Sequence, residues 1–398
     1  MATETIEQVK QRIEEVSPEE AARAVEAGEA ILVDTRDAVN RADVRVEGDA
    51  YAPAGAGGVE SHTPAFAEAV EKAAGGRDKR VVLYCNVGNR SAVAADALKE
   101  EHGFSDVASV AGGIAAWEAA GLPVVVPEGM SAEQRNRYSR HTLLPEVGVE
   151  GQLKMLNAKV LLVGAGGLGA PAALYLAAAG IGTVGLVDDD EVDESNLQRQ
   201  VIHNTERVGL PKTESARKTI EALNPDVDVV EHRTRLDATN ILEIIGDYDV
   251  IVDGADNFPT RYLLNDASVR LRKPVVSASI LAFDGQISTF VPFEGPCYRC
   301  LYPTPPPAEL APSCGAAGVL GVMAGVMGLL QANEVIKLVA DIGEPLIGRL
   351  LLYDSLGTRF TELKVRRDPE CPICGPNAQE IPESEMGKFP DYELFCAA

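Results

Sequence analysis

The chain has 398 residues, of which 24% are charged and 46% hydrophobic, enough to fill ordinary globular cores and to make two or three domains. Its net charge of −24 argues against non-specific binding to nucleic acid, and the polar, acidic residues 1–20 lack the apolar segment of a secretion signal. Seven cysteines, four of them in two C-x-x-C pairs, point to metal and thiol chemistry in a reducing, cytoplasmic setting rather than to a disulfide framework.

Residues 1–127 read as a small α/β unit. Ser17 caps a helix, with Glu20 in the capping-box position. Ala30-Ile-Leu-Val-Asp-Thr-Arg36 is a buried strand, and Arg80-Val-Val-Leu-Tyr84 is a second. The second delivers Cys85-Asn86-Val87-Gly88-Asn89-Arg90 and Ser91 to the start of a helix over 92–101. Loop N–H groups and the helix dipole there favour a thiolate or persulfide, and Arg90 adds positive charge. A lone buried cysteine is the competing reading. Gly112-Gly-x-x-x-Trp117 closes the unit, and strands alternating with helices imply a parallel sheet.

These motifs, Val-Asp-Thr-Arg-Asp, the six-residue cysteine loop and Gly-Gly-x-x-x-Trp, resemble the rhodanese-type sulfurtransferases. The resemblance implies that Cys85 carries sulfur as a persulfide, loaded from thiosulfate or another persulfide. One stretch departs from the family: its usual Gly-His-Ile-Pro-Gly-Ala becomes Val44-Arg-Val-Glu-Gly-Asp-Ala-Tyr51, followed by Gly-rich residues 54–58. Those residues are expected to form a loop of unusual shape.

Residues 123–131, bracketed by prolines, read as the connection; the boundaries are placed at 1–127, 128–132 and 133–398. A helix over 132–144 then carries Arg137 and Arg140 on one face. Val160-Leu-Leu-Val-Gly164-Ala-Gly166-Gly167-Leu-Gly169 is a strand, a Gly-rich turn and the start of a helix. The glycines let backbone approach a phosphate, which the free N–H groups of a helix start attract. Asp188, ending the next strand, can accept ribose hydroxyls.

So far a nicotinamide-dependent oxidoreductase fits equally well. Ser195-Asn196-Leu197-Gln198-Arg199-Gln200, Lys212 behind Pro211, and Asp256-Asn257 after another buried strand change the balance. Arg and Lys converging on a phosphate chain serve a reaction that cleaves or builds a triphosphate, with Asp256 a candidate Mg2+ ligand. Cys297-Tyr-Arg-Cys300 and Cys371-Pro-Ile-Cys374 can together offer four thiolates to one structural Zn2+. Cys314 follows a proline-rich stretch and is a candidate accessible nucleophile. Residues 315–331 are uncharged but too short for an ordinary membrane span, which favours a buried helix closely packed through glycines. The polar segment after Gly375, with Cys396 near its end, reads as a loosely ordered tail.

From about 131 to 375 these motifs, in this order, resemble the MoeB/ThiF family, the ubiquitin-activating-type enzymes. The resemblance implies a Rossmann-like ATP-binding adenylation domain with a zinc site, and a homodimer in which Arg140 reaches the nucleotide of the partner subunit. It implies adenylation of the C-terminal Gly-Gly of a ubiquitin-like sulfur carrier, with sulfur transfer giving a thiocarboxylate for molybdopterin, thiamine or tRNA-thiolation pathways. By position, Cys314 matches the cysteine that links covalently to the carrier in some members. Activation of a ubiquitin-like modifier for conjugation, a stand-alone sulfurtransferase, and a persulfide relay with a vestigial ATP fold are the alternatives.

Overall fold

A computed structural model describes residues 5–126, 128–306, 318–376 and 386–397. The chain divides into two compact units, Met1–Val149 and Glu150–Ala398.

The first unit is built on a five-stranded parallel sheet: β1 (Glu14–Val16), β2 (Ala30–Asp34), β3 (Ala50–Tyr51), β4 (Arg80–Tyr84) and β5 (Val107–Val110). They lie in the order β1-β5-β4-β2-β3, with β4 in the middle. Both faces of its apolar strands are covered, giving one cluster around Phe66, Leu83 and Leu98 and another around Leu32, Tyr84 and Trp117. Ser17 and Glu20 form the expected reciprocal cap, with N–H to side-chain distances of 3.2 and 2.9 Å. Pro123–Val126 belongs to this unit, not to a free connection. The Trp117 indole donates to the Pro123 carbonyl (3.1 Å), Val125 bridges Arg45, and Val124 and Val126 pack on the core.

The divergent 44–51 stretch builds a buried ionic cluster. Arg36 forks onto Asp34 (2.9 and 2.8 Å) and also donates to the Val44 carbonyl, while Arg41 pairs with Asp49 (2.5 and 2.6 Å). The Tyr84 hydroxyl meets both carboxylates. Arg36 and Asp34 are essentially inaccessible, so deleting either partner would strand a charge at a cost of about 3–5 kcal/mol. The Gly-rich stretch becomes a 3-10 segment, Ala56–His62, kinked by left-handed Gly57 and Gly58. The expected 132–144 helix is broken into Ala132–Arg137 and Ser139–Thr142 at Tyr138, whose side chain is buried.

The second unit has an eight-stranded sheet. Its parallel part contains β6 (Lys159–Val163), β7 (Thr183–Val187), β8 (Asp228–His232), β9 (Val250–Asp253) and β10 (Val275–Leu281). Antiparallel strands β11 (Asp284–Phe290), β12 (Arg349–Asp354) and β13 (Arg359–Lys364) extend it in the order β13-β12-β11-β10-β9-β6-β7-β8. Strand order reverses between β6 and β9, the switch point beside which open α/β sheets bind ligands at their carboxyl ends.

The apolar stretch forms the helix Gly321–Ala340, long and apolar enough to cross a membrane by composition. One face of it packs into the core, while Val322 and Leu329 stay exposed, so the helix is not buried all round as expected. Gln331 donates to the carbonyls of Asp253 (2.8 Å) and Val276 (3.0 Å), and buried Glu334 accepts from Thr289 (3.0 Å) and the Leu346 N–H (2.6 Å). A side chain on Gly328 would begin 2.4 Å from the Leu168 carbonyl oxygen, whereas one on Gly325 meets nothing within 4 Å.

The described part of the tail, residues 386–397, also differs from the expected loose order. Tyr392 donates to buried Asp266 (2.7 Å), Phe395 and Cys396 pack on the core, and Arg270 holds the Met386 and Lys388 carbonyls. The apolar face of Tyr392–Ala397 docks this short helix despite its polar surroundings.

The two glycines of the long helix make opposite predictions. Gly328→Ala should destabilise the second unit by about 1–3 kcal/mol, and Gly325→Ala should stabilise it by up to about 1 kcal/mol. Urea unfolding of both variants checks the pair, and equal shifts would contradict this packing.

Candidate functional site: three strand-end turns and a cysteine loop

In the second unit the turns after β6, β7 and β9 lie side by side, because these strands are neighbours. The backbone is interleaved too tightly for side chains. One on Gly169 would begin 1.9 Å from the Gly164 carbonyl oxygen, and one on Gly254 would begin 2.9 Å from that of Val163. Gly164 itself is left-handed, with φ +94°. The helix Gly169–Ala179 begins at this turn, and Gly166 and Gly167 are half-exposed on it.

Asp188, at the end of β7, accepts from the Ala165 N–H (2.8 Å) and the Asp190 N–H (2.9 Å), tying its strand end to the Gly-rich turn. Burial pushes its carboxyl pKa up, against the Lys212 charge and these two donors. Ser195 and Asn196 lie in the 3-10 turn Glu194–Asn196, where the Ser195 hydroxyl donates to Asp193 (2.5 Å) and accepts from the Asn196 amide (3.2 Å). Leu197 and Gln198 continue that turn, and the Gln198 carbonyl abuts Gly321 of the long helix. The Arg199 stem crosses Gly167, 3.7 Å from where a side chain there would begin, while its guanidinium donates to the Ser195 carbonyl (3.2 Å).

Lys212, at the start of the helix Lys212–Leu223, is buried and pairs with exposed Asp190 at 2.6 Å. Asp256 is exposed in the turn after β9 and accepts from the Asn257 amide (3.2 Å); Asn257 also caps the next helix through the Thr260 N–H (3.0 Å). The structure thus gathers Gly164–Gly169, Asp188, Arg199 and Asp256 around neighbouring strand ends. Arg140 is exposed on Ser139–Thr142 in the first unit, and Cys314 lies outside the described residues.

Two buried residues absent from the sequence reading organise these turns. Arg261 donates to the Ala255 (2.6 Å) and Ala278 (2.9 Å) carbonyls and pairs with Asp253 (3.3 Å), holding the Asp256 turn. His203 donates from Nε2 to the Ala165 carbonyl (3.0 Å), so its Nδ1 accepts from the Ser215 hydroxyl (2.9 Å). Neither has a local sequence pattern that distinguishes it from a surface residue.

In the first unit Cys85 directly follows β4 and is buried, with its Sγ accepting from the Ser91 hydroxyl (3.4 Å), which in turn accepts from Ser109 (2.9 Å). The Cys85 and Asn86 carbonyls accept from the Ile114 (2.8 Å) and Ala115 (3.2 Å) N–H groups, so the loop is clamped from the Gly-Gly turn. A side chain on Gly113 would begin 2.3 Å from the Cys85 carbonyl oxygen. Asn86 donates to Asn40 (2.9 Å), Val87 is exposed, Gly88 is left-handed, and Asn89 opens the helix Asn89–Glu100. Arg90 faces Asp37 at 3.6 Å and lines a cavity of about 330 Å3 with Tyr51 and Glu60.

The four sulfurs of Cys297, Cys300, Cys371 and Cys374 all lie within 4.8 Å of one another, with separations of 3.6 Å (297–371), 3.9 Å (297–300) and 3.4 Å (300–374). Four thiolates each about 2.3 Å from a central zinc ion would stand about 3.8 Å apart. The residues therefore fit a closed tetrahedral Zn2+ site. Crowding acts in the same sense: the Cys297 thiol is pushed up and the Cys300 thiol down as they share a hydrogen bond, a conflict that a cation removes. Arg299, between two of the ligands, forks onto buried Asp266 (2.9 and 2.9 Å) and anchors the pair to the core.

A family profile described as ThiF family matches residues 138–373, and one described as Rhodanese-like domain matches residues 17–120. The chain belongs to the ThiF family. It is an adenylyltransferase of this ATP-using family with a rhodanese-like domain ahead of the adenylating one. It is 51% identical over 269 residues to the sulfur carrier protein adenylyltransferase of Thermus thermophilus, spanning 66% of this chain and 97% of the relative. Identity to the SAMP-activating enzyme E1 of Haloferax volcanii is 51% over 268 residues, spanning 67% and 97%. It is 49% identical over 261 residues to the adenylyltransferase and sulfurtransferase MOCS3 of Drosophila yakuba, spanning 65% of this chain and 56% of that protein. Among solved structures, Escherichia coli MccB with ATP aligns with a TM-score of 0.54 at 26% identity, covering 63% of this ThiF-family chain and 77% of MccB.

Two predictions follow from the buried groups. Burial holds His203 neutral, with its pKa lowered to about 4 from 6.5. Its stabilising contribution is complete above the unfolded value and fades as pH falls towards 4. Moving from pH 7 to about pH 5 should cost the wild type about 2 kcal/mol more than it costs His203→Gln, read as urea midpoints. Metal analysis of the purified protein should find one zinc per chain, and Cys371→Ser should lose the metal and lower Tm. A metal-free wild type with unchanged Tm would contradict the Zn2+ assignment.

Proposed function

We propose that this enzyme uses ATP to adenylate the C-terminal glycine of a small ubiquitin-like sulfur-carrier protein, and that Cys85 then supplies sulfur to the activated carboxylate. The observation that carries this reading is the union in one chain of a strand-end phosphate site and a clamped cysteine loop. The name of the Thermus relative, a sulfur carrier protein adenylyltransferase, supports the carrier as substrate. The likeness to the solved structure of Escherichia coli MccB with ATP supports the nucleotide.

In this reading the triphosphate lies over Gly164–Gly169, with Asp188 on the ribose and Ser195, Asn196, Leu197 and Gln198 along the nucleotide. A carrier carboxylate oxygen attacks the α-phosphorus, the bond to the β-phosphate oxygen breaks, and pyrophosphate leaves. Arg199 and Lys212 neutralise charge developing on the phosphoryl oxygens, joined by the partner subunit's Arg140 in a homodimer. Lys212 must leave Asp190 to do so, and the incoming phosphates supply the competing negative charge. Asp256, an exposed carboxylate beside Asn257, would hold Mg2+, which supplies charge neutralisation on the phosphates. The four cysteines would hold Zn2+ as a closed structural ion with no position for substrate.

Adenylation makes the second step possible, because AMP leaves far more readily than a carboxylate oxygen. A Cys85 persulfide, loaded by thiosulfate or a protein persulfide, attacks the acyl carbon and expels AMP. The resulting acyl disulfide is cleaved by a second thiolate, for which Cys314 is the candidate, and this releases the carrier thiocarboxylate and leaves a protein disulfide. External thiols then reduce that disulfide. A cytoplasmic location would supply them. The products suit molybdopterin, thiamine or tRNA-thiolation pathways. Activation of a ubiquitin-like modifier for conjugation is the second reading, favoured by identity to a relative named an activating enzyme E1.

ATP–pyrophosphate exchange tests the first half. Exchange should require a Gly-Gly carrier, fall by about 10²–10³-fold in Arg199→Ala, and survive Cys85→Ser. No exchange with any Gly-Gly carrier would overturn the adenylation reading.

A further inference from the structure

The first C-x-x-C pair is carried by the helical turn Tyr298–Leu301, which is only 4 residues long. A helix so short has no stability of its own. The spacing of Cys297 and Cys300, 3.9 Å between sulfurs, is therefore set by whatever grips the two residues between them. Consecutive residues of the helix Phe258–Leu271 do this. Asn265 accepts from the Tyr298 N–H (2.8 Å), and Asp266 takes both arms of the Arg299 guanidinium (2.9 and 2.9 Å). Asn265 also donates to Asp266 (2.9 Å), which ties the two grips together.

The far end of the chain completes this pair. The Tyr392 hydroxyl donates at 2.7 Å to the Asp266 oxygen that also accepts from Arg299 Nη2. The Phe395 ring centre lies 4.6 Å from the Arg299 guanidinium carbon and that of Tyr262 lies 4.9 Å from it, distances at which an aromatic ring attracts a cation. Tyr262 and Phe395 meet each other edge to face at 5.1 Å. Arg270, on the same helix as Asp266, fixes the approach of the tail. It donates to the Met386 (2.5 Å) and Lys388 (2.8 Å) carbonyls and sits 4.0 Å from the centre of the Phe389 ring. With these contacts made, the Arg299–Asp266 pair is buried.

We propose that the C-terminal helix Tyr392–Ala397 is a clasp on the zinc site. Tyr392 and Phe395 are positioning residues: they hold the Arg299–Asp266 pair, and through it the spacing of Cys297 and Cys300, so the tail sets how tightly the metal is kept. Groups one step beyond a metal's ligands fix the orientation of those ligands, and losing one typically weakens metal binding 10–100-fold. A network of buried polar groups that loses one of its donors also loosens as a whole. This inference rests on the zinc reading of the four cysteines.

The test uses the full-length, zinc-loaded protein and follows transfer of zinc to a chromogenic chelator under native conditions, alongside thermal unfolding. Tyr392→Phe removes a single hydroxyl, and Phe395→Leu keeps an apolar side chain without the ring. Gly328→Ala perturbs the same unit elsewhere, where the long helix meets Leu168. Zinc affinity should fall about ten-fold in each tail variant, with faster release, whereas Gly328→Ala should keep zinc as the wild type does although its Tm is lower. Tail variants that hold zinc as tightly as the wild type, or a Gly328→Ala protein that releases it as fast as they do, would overturn the proposal and leave the tail as ordinary packing. A purified wild type without zinc would instead remove the metal reading beneath it.

Discussion

The second unit depends on one steric constraint: the turns after β6 and β9 interlock so closely that neither tolerates a side chain. A Cβ on Gly164 would meet the Gly254 carbonyl, and one on Gly254 would meet that of Val163. Adding a Cβ at any of these places would prise apart two parallel strand ends at the sheet's switch point. Around these strand ends Arg261 holds the Ala255 carbonyl, Asp188 the Ala165 N–H and Gln331 the Asp253 carbonyl. Rigid backbone at this point is what a phosphate site needs, because donors that are already aimed lose little order when the anion arrives.

The first unit solves a similar problem around a nucleophile. Gly113 packs on the Cys85 carbonyl as only a glycine can, and two N–H groups from the Gly-Gly turn clamp the loop. Beneath it the Asp34, Arg36, Arg41, Asp49 and Tyr84 cluster balances two buried carboxylates against two guanidinium groups. Asp49 comes from the stretch that departs from the rhodanese pattern, so the departure is filled by an ionic contact rather than left as a defect. Near the cavity, Arg90 is offset by Asp37 and Glu60. Such a lining sets a more neutral environment than the lone loop arginine implies.

Features that depend on local chemistry were legible in the sequence: the Gly-rich turn, the cysteine loop, the paired C-x-x-C turns and the Ser17 cap each contain their own physical reason. Features that depend on distant partners were not. Lys212 reads as a free phosphate ligand, but its pairing with Asp190 is set by how β7 and the next helix meet. Arg261 and His203 look like ordinary polar residues until the fold buries them. The tail reads as loose because its composition is polar. Its docking rests on Tyr392 and Phe395 meeting Asp266 and Tyr262, contacts that span more than a hundred residues of chain.

The central claim is that one chain both activates a carrier's carboxylate and replaces one of its oxygens with sulfur. Intact-mass spectrometry of a Gly-Gly carrier incubated with the enzyme, ATP, Mg2+, a sulfur donor and a thiol reductant tests it most directly. The account predicts a carrier in which one oxygen is exchanged for sulfur, formed with wild type and absent with Cys85→Ser, although the variant still makes acyl-adenylate. Thiocarboxylate formed equally well by Cys85→Ser, or adenylate that never acquires sulfur, would contradict it.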